Sequence, residues 1–347
     1  MKKISIYFFI IFVFLFHIKK IQSDELALSD SHGPISMMAD HMHKKDEFMF
    51  SYRLGGMNMS KNFNGSKSIS TDEIMTSANG VSRNSGTYMN APIKMSMEKH
   101  MFGIMYAPSN NITLMVMTNY QIKEMKQKRM PMSGGALFDT SSEGLGDFNF
   151  TSLFKLRDFK KLKIYLAYQL SFPTGSIDER DSSPSSDNTR LGYKMQNGTG
   201  TYDNIVIINS LINLNKIKFG CQFSYKKHLG SVNQNQYKYG DYTDLNLWMS
   251  YRWFDFLSQS LKINYIKENK MIGSDDEMNA RMSPVMDSGN FGLQKLDLGI
   301  GFNFVNYSNK FQNHRFAFEI LKPIYKNVRG IQMIEDYKLI FGWQYGF

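Results

Sequence analysis

A dense group of histidine and methionine side chains follows the first apolar segment of the chain. Within about a dozen residues the sequence places imidazole and thioether groups at His32, Met38, His41, Met42 and His43. Thioethers are soft ligands that select Cu(I), and imidazole also binds copper. The spacing suggests a soft-metal site with copper as the candidate ion. The simpler interpretation is a plug or gasket segment that needs no cofactor, because the whole chain is rich in methionine.

A second set of methionines alternates with aromatic residues in the first three strands proposed below. If the Phe and Tyr side chains face lipid, the alternate positions point into the lumen of a barrel. Methionine is flexible and polarizable, so such a lining would suit small hydrophobic or aromatic molecules of varied shape. The candidate lumen-lining residues are Met49, Arg53, Met95, Met97, Met101, Met105, Met115 and Met117.

Catalytic chemistry has weaker support. Ser96 and His100 share one candidate strand, and His228 ends another. No nucleophile motif surrounds any serine, and a lone histidine near a strand end is commonly a structural residue. A single cysteine, Cys221, excludes an intramolecular disulfide and a multi-cysteine metal site. We expect no enzyme, with an outer-membrane lipid hydrolase as the catalytic alternative.

The N-terminus resembles a secretory signal peptide. Met1 to Lys3 is basic, Ile4 to Ile18 is almost wholly apolar, and Ser23 is a small residue at the expected cleavage site. The apolar run is shorter than the roughly 20 residues of a spanning helix. We expect a signal peptide at residues 1–23, a periplasmic or lumenal Met/His-rich segment at 24–45, and one domain at 46–347.

Apolar residues recur at every second position from residue 46 onward. In Phe48, Phe50, Tyr52 and Leu54, for example, they alternate with smaller or polar residues. Counting such segments gives about twelve strands of membrane-spanning length. The sequence therefore predicts an all-β, antiparallel transmembrane barrel of about twelve strands. A secreted β-sandwich or propeller is the alternative.

The lengths of the connections alternate as they do in outer-membrane barrels. Short turns recur near residues 108–111, 157–161, 213–216, 254–256 and 305–313. Between them lie long polar connections, at residues 59–92, 124–145, 174–200, 229–241, 270–291 and 322–334. This alternation places both termini in the periplasm of a Gram-negative cell.

The last strand alternates aromatic and apolar residues from Tyr337 to a terminal Phe347, which is typical of the closing strand of an outer-membrane barrel. We expect it to meet the barrel-assembly machinery. The net charge of +10 is scattered rather than clustered, which argues against nucleic acid as a partner. Outer-membrane lipids and a small-molecule solute are the expected partners.

Several segments resemble a family of bacterial outer-membrane proteins usually labelled transporter and grouped with the phenol-degradation meta-pathway outer-membrane proteins. The resemblance covers nearly all of the chain after the signal peptide. It implies a barrel in the outer membrane and passage of small hydrophobic compounds, and it supplies no catalytic or binding residues. The segments that carry it are Gly33–Ile35, Met38–Lys45, Met101–Pro108, Gly144–Asp147, Phe172–Asp181 and Gly342–Tyr345.

These observations predict passive transport of small hydrophobic or aromatic compounds through a methionine-lined lumen. Binding or transport of copper or another soft metal is the alternative function. The sequence leaves open the identity of the solute and whether the lumen is open or plugged.

Overall fold

A computed structural model describes residues 28–77, 87–159, 161–305 and 313–347. The expected signal peptide at residues 1–23 lies outside these described residues. Nineteen strands dominate the described part of the chain, together with one short helix and four 3-10 turns. No helix among the described residues is long and apolar enough to cross a membrane.

The strands are numbered in chain order and differ widely in length. They are β1 (Phe48–Met59), β2 (Lys61–Gly65), β3 (Lys67–Ile69), β4 (Asn90–Ser109), β5 (Ile112–Arg129), β6 (Leu137–Leu145), β7 (Phe148–Asp158), β8 (Leu162–Phe172), β9 (Arg180–Ser183), β10 (Ser186–Arg190), β11 (Asp203–Leu214), β12 (Ile217–His228), β13 (Tyr237–Lys238), β14 (Tyr242–Phe254), β15 (Leu257–Glu268), β16 (Ile272–Gly273), β17 (Leu293–Val305), β18 (His314–Ile334) and β19 (Tyr337–Gly346).

Twelve of these strands form a closed antiparallel barrel, which confirms the predicted fold. The order around the barrel follows the chain and omits the shorter strands β2, β3, β6, β9, β10, β13 and β16. Closure comes from β1, which pairs with β4 on one side and with β19 on the other. A closed barrel leaves no strand edge unpaired, so every backbone group of the wall can find its partner within the chain.

The two faces of each barrel strand differ sharply in exposure. In β19, Phe341 is 53% exposed on the outer face, whereas Gln344 on the inner face is 1% exposed. The same alternation gives exposed outer positions at Phe223, Leu247 and Ile263 on neighbouring strands. An apolar outer face and a more polar interior are typical of transmembrane barrels.

Tight turns join many of the barrel strands at the end where β1 begins and β19 ends. Between β11 and β12 the turn is two residues long, and Asn215 adopts the left-handed conformation with φ 61°. Asparagine tolerates that conformation better than most residues, because its short side chain bonds locally to the backbone. The turn therefore fixes the register of this hairpin.

The opposite end of the barrel carries the longer connections. One contains the helix α1 (Thr71–Thr76), which begins at Ser70 because a capping box joins that serine to Glu73. The 3-10 turns are Pro131–Ser133, Tyr193–Met195, Pro284–Met286 and Ser288–Asn290.

One predicted connection is wrong, and a second is wrong over much of its length. Residues 322–334 are not a loop but the second half of β18, which pairs with β17 as far as Val328 and then with β2. Pro323 has no N–H to donate to the strand ladder. An irregularity in the β17–β18 pairing, between Leu296 and Asp297, accommodates it. Strands β5 and β6 likewise occupy much of the expected connection at 124–145.

Candidate functional site: the barrel lumen and the plug

Residues 28–45, called the plug below, lie inside the barrel rather than beside it. Backbone carbonyls of the plug accept hydrogen bonds from side chains of five wall strands, β1, β11, β12, β15 and β18. Asn209 Nδ2 donates to Ala39 O at 2.8 Å, and Gln222 Nε2 donates to Met38 O at 2.8 Å. These bonds satisfy irregular backbone that would otherwise be buried without partners. The polar residues of the wall therefore hold the plug in place.

A buried ion pair within the wall also binds the plug through Ser36. Lys262 Nζ on β15 lies 2.8 Å from Glu319 Oε1 on β18, with both side chains almost fully buried. The plug residue Ser36 bridges the pair: its backbone N–H donates to Glu319 Oε2 at 2.8 Å, and its hydroxyl meets Lys262 Nζ. Charge-assisted hydrogen bonds are stronger than neutral ones. This contact is thus a strong point of attachment.

Arg315 on β18 also hydrogen-bonds to the plug. Its guanidinium donates to Gly33 O at 2.7 Å and also contacts the wall residues Asn303 and Gln344. From the other side, Arg53 Nη2 donates to Met37 O at 3.4 Å. The plug is therefore held by charged side chains from strands far apart in the chain.

Small residues create the space that the plug fills. A Cβ atom added at Gly342 on β19 would lie 2.3 Å from Ile35 Cγ1, and one at Gly220 would lie 2.1 Å from the Trp248 ring. The Trp248 ring in turn faces Gly33 of the plug. These glycines are needed for close approach rather than for a special backbone conformation.

We expect Gly342→Val to loosen the plug without harming the barrel. The new side chain occupies the place of Ile35, and overpacking of this kind typically costs about 1–3 kcal/mol. Hydrogen–deuterium exchange of peptides from residues 29–43 should become faster. Gly55→Ala is the matched control, because a Cβ at that inward position meets its nearest atom only at 3.6 Å. Unchanged exchange in Gly342→Val would show that Ile35 contributes little to plug docking.

The candidate lumen methionines divide into two groups, one at each end of the barrel. Met49, Met105, Met115 and Met117 are buried in one apolar cluster with Ala39 and Met42 of the plug. Further along the lumen, Met95 is buried in a second cluster, and Met97 packs against it from the side. Met101 lies between the groups and approaches the inner face of Gly55.

The second cluster belongs to a lid at the opposite end, made of residues 173–202 and 269–292. Met195 of the lid packs among Met59, Met95, Met125 and Met333 of the wall. A mainly aromatic and thioether cluster joins the two lid segments to each other and to Tyr237.

Polar wall side chains hold the lid by its backbone. Lys123 Nζ donates to Gln196 O at 2.5 Å, and Ser142 Oγ donates to Met195 O at 2.6 Å. On the second segment, Gln332 Nε2 donates to Gly292 O at 2.8 Å. Both ends of the lumen are therefore occupied by segments of the chain itself.

Sequence reasoning missed the polar half of the lumen wall. Buried carboxylates and cations occupy inward positions on the later strands and at their ends. Glu335 meets Lys295 and also lies 3.0 Å from Lys338, while Lys295 lies 3.1 Å from Asp297. The signal was present as charged residues at alternate positions between apolar ones, for instance at Lys295 and Asp297. Below, the buried inward methionines of β1, β4 and β5 are called the methionine face, and the buried charged residues of β15 and β17–β19 are called the charged face.

The histidines of the Met/His group come together in the plug, but the methionines do not join them. The ring centroids of His32 and His41 are 4.1 Å apart, and those of His41 and His43 are 4.9 Å apart. Met42 packs in the apolar cluster instead, and Met38 lies at its edge. Asp40, which sequence reasoning passed over, takes their place: its Oδ1 lies 2.9 Å from His41 Nδ1.

Burial and charge set the protonation of this group. Although burial acts to raise it, the pKa of Asp40 is held well below its usual range by His41, by Arg315 and by the Gly33 N–H. Burial, helped by His41 and Arg315, lowers the pKa of His32 well below that of a free histidine. Near neutral pH, Asp40 is therefore ionised and His32 is neutral.

The residues considered for catalysis are differently engaged. On the outer face, His100 bonds to Tyr52 and Glu98, whereas Ser96 contacts Glu124. Inside the barrel, Asp203 Oδ1 and Thr201 Oγ1 both approach the same atom, His228 Nδ1, at 2.7 and 3.2 Å. A nucleophile–base–acid relay needs the two ring nitrogens to face different partners. The His228 arrangement does not meet this requirement. The two ring nitrogens of His100 do face different partners, but the hydroxyl is that of Tyr52, and the candidate nucleophile Ser96 contacts Glu124 instead.

Comparison with known proteins gives matches in structure only. No family model and no curated protein matches the chain. The COG4313 outer membrane channel from Pseudomonas putida F1 superposes with a TM-score of 0.62 at 11% identity, covering 89% of this chain and 98% of that one. This similarity shows that the two chains share a fold.

Two further solved structures align more loosely. The P. putida toluene transporter TodX has a TM-score of 0.42 at 9% identity, with 87% of this chain and 90% of that chain covered. A Pseudomonas aeruginosa FadL homologue has a TM-score of 0.38 at 9% identity over the same shares.

Proposed function

We propose that the protein is a passive channel of the outer membrane for small compounds with aromatic or other apolar surface. One observation carries the proposal: in a closed twelve-stranded barrel, three segments of the chain, one in the plug and two in the lid, fill the two ends of the lumen and pack against buried methionines of the wall. The shared fold with an outer membrane channel supports it. So does the resemblance to the transporter family related to phenol degradation.

The exposed apolar outer face supports the outer membrane as the location. Both termini would then be periplasmic, since Phe48 and Phe347 meet at the end with the short turns. Outer-membrane lipids would contact the outer face. The barrel-assembly machinery would engage the closing strand, whose Phe347 stacks on Phe48 and Phe50.

The mechanism follows from the two faces of the lumen. A ring that slides along the methionine face gains contacts with flexible sulfur atoms, each of about 0.3–1.5 kcal/mol. The charged face offers hydrogen-bonding partners to a polar substituent. Passage requires the plug and the lid to shift aside. Their attachment, mainly by hydrogen bonds, makes such a shift reversible.

We expect proteoliposomes with the purified protein to pass benzoate faster than gluconate at pH 8. Both probes are anions, so the comparison isolates apolar character from charge. One sulfur–ring contact of about 1 kcal/mol corresponds to a preference of roughly fivefold. The double variant Met105→Gln/Met115→Gln keeps side-chain length and should lose most of the preference. Equal passage of the two anions through the wild type would indicate a general pore.

A further inference from the structure

Three potential ligand atoms converge inside the plug. His32 Nδ1 lies 3.2 Å from His41 Nδ1, which lies 2.9 Å from Asp40 Oδ1. All three atoms are within 4.8 Å of one another. The three residues are only 3%, 4% and 8% exposed for His32, Asp40 and His41, respectively.

Ordinary two-centre hydrogen bonds satisfy only one of the two contacts of His41 Nδ1 at a time. In a neutral imidazole, Nδ1 carries either one proton or one lone pair in the ring plane. If His41 Nδ1 donates its proton to Asp40, it has no lone pair left for His32. If it accepts from His32 instead, its lone pair faces the carboxylate oxygen. A cation placed between the three atoms accepts an electron pair from each of them.

The other ring nitrogens of His32 and His41 make no hydrogen bonds that would hold the rings in place. His32 Nε2 and His41 Nε2 are buried, and neither has a hydrogen-bond partner among the described residues. The cluster therefore supplies the polar contacts that these two imidazoles make. Buried polar atoms without partners are uncommon and call for an explanation.

A supporting set of contacts holds the ligands in position. Asp40 Oδ2 accepts a hydrogen bond from Gly33 N at 2.8 Å, which orients the other oxygen toward the histidines. Arg315 holds the same peptide segment through Gly33 O at 2.7 Å. Contacts of this kind, one step outside the ligands, fix orientation in metal sites.

We propose that His32, Asp40 and His41 form a binding site for a divalent transition-metal ion of the zinc class, which closes the turn of the plug on itself. With zinc–nitrogen bonds of 2.0–2.1 Å, two nitrogens at a tetrahedral angle lie about 3.3 Å apart, close to the observed separation. Two imidazoles and a carboxylate suit Zn²⁺ better than Cu(I), for which thioethers would be needed. The site is thus a borderline-metal site and differs from the soft Met/His site suggested by the sequence.

The test uses the purified full-length protein in detergent, stripped with a chelator and titrated with Zn²⁺. We expect one ion per chain. His32→Gln, Asp40→Asn and His41→Gln should each weaken binding by about tenfold or more, since even changes outside the ligand shell cost 10–100-fold. His314→Gln is the control, because that ring packs on Trp343 and Tyr345 of the wall. Heat-dependent mobility in SDS gels checks that each variant forms a barrel.

A measurement on the unaltered protein makes the test independent of the variants. Co²⁺ bound in place of Zn²⁺ should show the visible absorption of a low-coordinate nitrogen–oxygen site, and X-ray absorption should count two imidazoles. The proposal is overturned by less than half an ion per chain, or by binding that survives replacement of both His32 and His41. Cu(I) binding that depends on Met38 and Met42, without Zn²⁺ binding, would also overturn it. None of these outcomes depends on whether the barrel conducts benzoate.

Discussion

Removing the plug and the lid together should raise solute flux through the barrel by about tenfold or more. A state that opens only through fluctuation is typically populated at about 0.1–10%, so deleting the closed alternatives gains at least that factor. The variant lacks residues 28–45 and has a four-residue Gly/Ser turn in place of each lid segment. Short turns fit there because Ser171 pairs with Asp203, and Glu268 with Leu293. Benzoate efflux from proteoliposomes is the measurement.

The single variants serve as controls for this experiment. Plug and lid lie in series along the lumen, so a variant that lacks either one should stay close to the wild-type rate. If plug deletion alone gives the full increase, the lid is not a barrier. If the combined variant remains as slow as the wild type, side chains of the wall close the lumen, and the gating role of both segments is wrong.

The barrel itself was predictable because a membrane imposes a simple rule on strands. Alternation of apolar and other residues, as in Phe48 to Leu54, needs no knowledge of tertiary contacts. The rule fails where a strand leaves the apolar zone. Residues 322–334 contain Pro323 and Gly330 and lose the alternation, yet pairing with β17 and β2 extends the strand through them. Long-range pairing of this kind overrides local signals.

The contents of the lumen were only half predictable for a related reason. The methionine face stood out because its residues were read from three strands that lie side by side. The charged face needs partners such as Lys262 and Glu319, which are 57 residues apart and meet only when the barrel closes (319 minus 262). The role of Asp40 could not be predicted for the same reason. Its carboxylate comes close to His32 only when the plug folds back on itself.

The charged face explains why a plug can be both held and released. The plug is attached to the wall mainly by hydrogen bonds from wall side chains to its backbone carbonyls. Each of these contributes only about 0.5–1.5 kcal/mol net. Such bonds can exchange with water when the plug shifts. A purely apolar docking surface would lack this exchange and would not make the hydrogen bonds by which Arg315 and Glu319 hold the plug.

Among the contacts around Ser36, the ion pair between Lys262 and Glu319 should cost the most stability when only one of its partners is replaced. We expect Lys262→Met to destabilise the folded protein by about 3–5 kcal/mol, because Glu319 then keeps a buried charge without its counter-ion. Its side chain is fully buried and that of Lys262 is only 4% exposed. The midpoint of urea unfolding, followed by loss of the heat-sensitive gel mobility, measures the change. Lys126→Met is the matched control, since its pair with Asp139 is exposed and should be worth less than about 1 kcal/mol.

Replacing both partners separates the cost of an unpaired charge from the strength of the pair. Removing a buried ion pair in favour of apolar residues of similar volume is often neutral or stabilising. The double variant Lys262→Met/Glu319→Leu should therefore recover most of the stability lost in Lys262→Met. Hydrogen–deuterium exchange in the plug should nevertheless be faster than in the wild type, because Ser36 has lost both wall partners. If the double variant is as unstable as the single one, the pair itself stabilises the wall. If Lys262→Met unfolds like the wild type, water reaches Glu319, and the charged face is a hydrated pathway beside the plug.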